Sequence, residues 1–237
     1  MADMVDTRVT PALHPNNVKE IEGYDDETAP VLAPTVTAFD EAYQGIAAVH
    51  TARDKAKTNP TWNEAQQILV TQEMADKVFA RIAKAMDGTR ANLEKGIAHL
   101  EGELSQPVTS RAAAPVASEI RNYVRTLPTA KLHAFIKEAL DNGDHDTVTA
   151  VLGAPSYLSG LTPEFQKTYL RLYHERNSPE KAKRLKVMHG AKVLIEDRAG
   201  LVFKELEKAV GVPPHKAKEL REAKTAAEKA FVLKDVA

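Results

Sequence analysis

Between residues 60 and 104 apolar side chains recur at helical intervals, with Phe79, Ile82, Met86, Leu93, Ile97, Leu100 and Leu104 spaced by three, four or seven positions once residues 89 and 90 are passed over. That spacing predicts a long amphipathic helix, roughly 65 to 70 Å if unbroken, which exceeds what a compact domain of this size needs. Asp87-Gly88-Thr89 is its weak point. An interior glycine costs about 1 kcal/mol and Asp-Gly favours turns, so the alternative is two antiparallel helices. Upstream, Val36, Phe39, Tyr43, Ile46 and His50 form a heptad-like stripe on a first helix, and His50 reads as a packed or interfacial ring rather than a ligand. Thr58-Asn59-Pro60 then supplies a cap residue followed by proline, the start signal of the second helix, whose face continues through Ala65, Leu69, Val70, Met74 and Val78.

A hairpin of two helices buries only a narrow seam. Its stripe, Val36, Phe39, Tyr43, Ile46, Phe79, Ile82, Met86, Leu93, Ile97 and Leu100, is therefore the candidate protein interface, to be covered by the C-terminal region, a second copy or another protein.

Residues 1–34 carry Pro11, Pro15, Pro30 and Pro34 without a sustained apolar period. They read as an extended arm that either binds through Val5, Val9, Leu13, Val18, Ile21, Val31 and Leu32 or stays disordered. Residues 105–117, SQPVTSRAAAPVA, have the most linker-like composition. Beyond them helices shorten and are punctuated by turn residues: Asn142-Gly143, Gly153-Ala154-Pro155, Thr162-Pro163-Glu164, Asn177-Ser178-Pro179-Glu180 and Gly211 before two prolines. Tyr157, Leu158 and Leu161 are expected to plug the core of this region, and a last helix from Pro214 to about Leu233 carries a thin stripe of Leu220, Ala223, Ala227 and Phe231. The expected architecture is all-α: an arm over 1–34, a long coiled-coil-like hairpin over 35–104, a linker over 105–117 and a helical bundle over 118–237.

Composition agrees with helices packed through aliphatic residues, since aromatics make up only 5% of the 237 residues. Cysteine is absent, which removes disulfides, thiolate metal sites and cysteine nucleophiles. The N-terminus lacks the basic start and apolar run of an export signal, and no run of 18 apolar residues occurs, so neither secretion by a signal peptide nor membrane insertion is expected. Net charge is -1 overall but uneven. Residues 1–41 hold nine acids against two bases, while residues 165–192 hold eight bases against two acids.

Motifs of catalysis are missing: there is no Walker loop, no Rossmann glycine pattern, no HExxH and no G-x-S-x-G. No catalytic residue, cofactor or metal ligand is assigned. An enzyme would have to use His133, His145 and Tyr157, whose surroundings read as caps and core instead. Lys181, Lys183, Arg184, Lys186 and Lys192 are the candidate phosphate-binding residues, because such a run attracts a nucleic-acid backbone and releases counterions. No aromatic residue is interleaved to stack on bases, which makes nucleic acid the second reading.

The stretch LDNGDHDTVTAVLGAPSYLSGLTPEFQ, residues 140–166, resembles a pattern in uncharacterised tailed-phage and prophage proteins found among virion genes. The shared residues, a short helix, a Gly-Ala-Pro turn and the Tyr-Leu-Ser-Gly-Leu loop, are architectural. The resemblance implies a virion-associated or scaffold-like structural protein, located in a virion or the host cytoplasm and acting through protein contacts as a homo-oligomer or with other virion and assembly proteins.

Overall fold

The structure, a computed structural model, describes residues 6–231, and among these every regular element is helical. The expected all-α class holds. The chain divides into two compact units, one of residues 1–94 and 187–237, the other of residues 95–186. No described helix is long and apolar enough to cross a membrane.

The first unit is built on α1 (Ala29–Lys57), the N-terminal part of α2 (Glu64–Glu103) and the C-terminal part of α7 (Pro179–Val210). The arm before α1 is not extended. It winds through two short 3-10 turns, Pro11–Leu13 and Pro15–Glu20, each starting with the proline whose missing N–H costs nothing there. Val9, Leu13, Val18 and, on α1, Leu32 are buried at 2% exposure or less, so four of the anticipated anchors dock on the chain's own core; Val5 lies outside the described residues.

α1 begins at Ala29, six residues before the predicted boundary, with Pro30 in its first turn and Pro34 inside it. What fixes the start is a local lock. The Asp25 carboxylate accepts from the N–H groups of Glu27 and Thr28 while the Thr28 hydroxyl accepts from the N–H of Asp25 at 2.9 Å. α2 likewise starts at Glu64 and not Pro60: Asn63 Oδ1 accepts the N–H of Gln66 at 2.9 Å, while Asn59 is used in a turn to Thr61. Gly88 does not interrupt α2, which runs for 40 residues.

The predicted docking stripe lies within the chain's own cores. Phe39, Tyr43, Ile46, Ile82, Met86, Leu93 and Ile97 are buried, Val36 and Leu100 are half-buried, and only Phe79 is exposed. Its cover comes from a pairing that local pattern could not reveal. From Val187 onward α7 brings Val187, Ala191, Ile195, Val202, Leu206 and Ala209, all buried, back into the unit that holds α2 as far as Glu94. α1 and α2 approach closely at Gly45, where an added Cβ would lie 2.9 Å from Val78 Cγ1.

The arm is closed down by polar contacts. Arg8 donates to both oxygens of Asp6, to Asp54 Oδ2 at 3.0 Å and to Thr51 Oγ1 at 3.1 Å; the Tyr43 hydroxyl donates to Asp6 O at 2.9 Å, and the N–H of Thr10 donates to Glu205 Oε2 at 3.0 Å. Beneath them His50 is 8% exposed and its Nε2 has no partner, the packed ring its place on the stripe suggested.

The second unit holds α3 (Ala114–Thr126), α4 (Thr129–Asp141), α5 (His145–Leu152) and α6 (Pro163–Asn177). Val124, Leu132, Ile136, Val148, Val151, Leu161 and Tyr173 form its core. Residues 105–117 are not a free linker within it. Val108 packs against that core, the N–H of Arg111 donates to Thr149 Oγ1 at 2.9 Å, and α3 has already begun at Ala114. Leu161 plugs the core as expected, whereas Tyr157 is 74% exposed. Gln166 closes the loop from α6 by donating to the carbonyls of Leu152 and Ala154. The boundary expected near residue 117 is therefore replaced by the two divisions within α2 and α7.

Candidate functional site: an apolar groove beside the last helix

α7 ends at Val210, and after Gly211, Val212 and Pro213 the chain enters α8 (Pro214–Glu228) in the first unit. Pro214 at the start of α8 and the paired Lys218–Glu222 and Lys224–Glu228, each at i and i+4, make this helix from local signals. Its packing is slight. Ala217 is its one buried residue, Leu220 is half-buried, and every residue from 221 to 231 is exposed, with Phe231 at 86%.

Between α2, α7 and α8 lies an open cavity of about 290 Å³. Ala75, Leu206, Val210 and Ala217 supply apolar lining, and Phe79 and Phe203 meet edge to face at 6.3 Å. These two rings remain 42% and 53% exposed, although aromatic surface of that size is ordinarily the first to be buried. Asp76 and Glu207 stand on the walls from α2 and α7; Lys218 and Arg221 face them from α8. Asp76 accepts from Arg221 Nη2 at 2.8 Å and from Gln72 Nε2 at 2.7 Å, so its carboxylate is held toward α8. Both partners of the ion pair are half-exposed, and such a pair is worth about 0 to 1 kcal/mol.

The phosphate-binding candidates come out differently. Lys181 pairs with Glu103 at 3.3 Å and Lys192 with Glu94 at 3.4 Å and Glu196 at 3.8 Å; Lys183 and Lys186 are also engaged, and Arg184 is exposed. Lys181, Lys183, Arg184 and Lys186 belong to one unit and Lys192 to the other. Two of the residues an enzyme would need, His133 and His145, sit in aromatic contacts of their own, and Tyr157 is exposed. His133 Nδ1 lies 2.8 Å from the Tyr169 hydroxyl with Phe165 packed at 4.3 Å, and His145 meets the edge of Tyr173 at 5.7 Å. Burial pushes the Tyr169 hydroxyl's pKa up. Asp144 caps α5, and the hydrogen bond from Thr147 holds its carboxyl below the ordinary value. Among the described residues no three His, Asp or Glu side chains are grouped to hold a metal ion.

Sequence reasoning missed most of the groove. Phe79 was placed on the core stripe beside Val78, but one residue is a 100° step on a helix, and it is Val78 that continues to Ile82 and Met86. Phe203 lies between Val202 and Leu206, both buried. Its signal was there to find: it is the only aromatic residue of α7, set off the buried period. No family model matches the chain, and none of the curated proteins or solved structures compared with it is similar to it.

Proposed function

We propose that this chain is a self-associating helical assembly component, virion-associated or scaffold-like, that works through protein contacts at the groove between α2, α7 and α8. The observation that carries this reading is the half-exposed Phe79–Phe203 pair in an apolar groove with a charged rim. Covering the remaining surface of such rings contributes on the order of 1 kcal/mol each, a useful anchor for a modest interface. The resemblance of residues 140–166 to tailed-phage and prophage proteins supplies the virion setting. Nucleic-acid binding draws less support, since Lys181 and Lys192 are neutralised by the chain's own carboxylates.

Light scattering on the purified chain tests the proposal. A single chain weighs 26.0 kDa, and the expected result is a multiple of that mass which collapses to one chain in the Phe79→Glu/Phe203→Glu variant. A native protein that stays at one chain's mass over a wide concentration range would overturn it.

A further inference from the structure

The helix that fits this groove is the chain's own α8, and it is held there lightly. α8 seats one small side chain, Ala217, and makes one ion pair to the groove wall, Arg221 to Asp76, while its remaining length to Phe231 touches little. Of the three residues joining α7 to α8, two are biased by sequence to extended backbone and the third is a glycine. Val212 and Pro213 each precede a proline, which drives both toward extended backbone, and Pro213 is extended at φ -67°, ψ 151°. The reversal that folds α8 back rests on Gly211, at φ +82°, with the Arg53 guanidinium packed over the place a side chain would take. Rotating that one residue out of the left-handed region would let the connection run extended.

We propose that α8 is exchanged between copies: the α8 of one chain seats in the groove of a second copy, placing Ala217 and Arg221 where the chain's own would lie. This rests on the assembly reading above and names its partner. The occupant is chosen by complementarity. The walls from α2 and α7 present Asp76 and Glu207, and α8 presents Lys218 and Arg221. Exchange keeps both native contacts, Ala217 in its seat and Arg221 on Asp76, and asks for a backbone change at Gly211 alone, on a connection of three residues.

The absence of cysteine gives a clean test. Gln72→Cys is placed on the α2 wall in one tagged chain and Lys218→Cys on α8 in a second, differently tagged chain, leaving the Asp76–Arg221 pair intact. The two are co-expressed and treated with a short bismaleimide; a chain carrying both substitutions reports the closed form. Exchange predicts a covalent product joining the two tags. A dimer whose doubly substituted chain cross-links only within itself overturns exchange while leaving the assembly reading standing, and a strict monomer overturns both. Gly211→Ala adds a readout a mere surface contact would not move. A side chain strains the closed turn and must displace Arg53, so the association constant is expected to rise about tenfold or more; no change, or a fall, counts against exchange.

Discussion

His50 shows how a single side chain can make a segment sensitive to acid. Its ring is buried under the arm, faced by Asp6 and Arg8 from the arm and by Glu205 and Lys208 from α7, and burial, aided by the two cations, holds its pKa below the ordinary 6.5. The neutral ring is the one the folded state accepts. Stability is thus fully present above about pH 6.5 and declines as pH falls below it, because the unfolded chain takes up the proton first. Asp6 acts in the same direction at lower pH. The hydrogen bonds from Arg8 lower its pKa from 3.8 to about 2, so its contribution, present above 3.8, is lost toward pH 2. Thermal melts from pH 7 to pH 5 should show a falling midpoint in the native chain and a flatter one in His50→Met, which keeps an apolar volume and removes an unpartnered nitrogen. Equal slopes in the two proteins would show that the ring's charge does not matter.

At the level of elements, the long helices were legible because their signal is redundant, while their ends were not. α2 repeats its period over many turns and survives Gly88, whose position is exposed with no atom within 4 Å of an added Cβ. Its first residue depends instead on whether Asn59 or Asn63 turns its side chain to the helix, and both fit the cap preference. The arm was hardest to read, since three anchors separated by prolines, Val9, Leu13 and Val18, carry no period yet are buried. Two helix glycines give a test of opposite signs. Gly88→Ala should stabilise by roughly 0.5 to 1 kcal/mol, the propensity difference alone. Gly45→Ala carries the same gain but drives a methyl against Val78, and overpacking of this kind costs about 1 to 3 kcal/mol, so a net loss is expected. Denaturant midpoints that move together would mean that the approach of α1 to α2 is not a close one.

For the whole molecule, the division of the chain follows tertiary pairing, which local composition does not encode. Residues 105–117 look like a linker because they are small and proline-bearing, but Val108 and Arg111 are tied to the second core, and the divisions fall inside α2 and α7, where the pattern is unbroken. Proline and alanine mark where a helix cannot easily continue; they do not mark where a core ends. The groove was hidden for a related reason, because a half-exposed ring such as Phe203 stands out only once its neighbours are known to be buried. Two cores make a prediction with built-in probes. The single tryptophan, Trp62, belongs to the unit of residues 1–94 and 187–237, whereas Ile136, 1% exposed, lies in the core of residues 95–186. Ile136→Ala removes buried methyl groups at a cost of about 2 to 5 kcal/mol. If the cores unfold as separate cooperative units, circular dichroism should show an earlier, partial loss of helix in this variant while the Trp62 fluorescence transition keeps its native midpoint. A tryptophan transition that shifts by the same amount as the helix signal would mean that α2 and α7 unfold as single pieces and that the two cores stand or fall together.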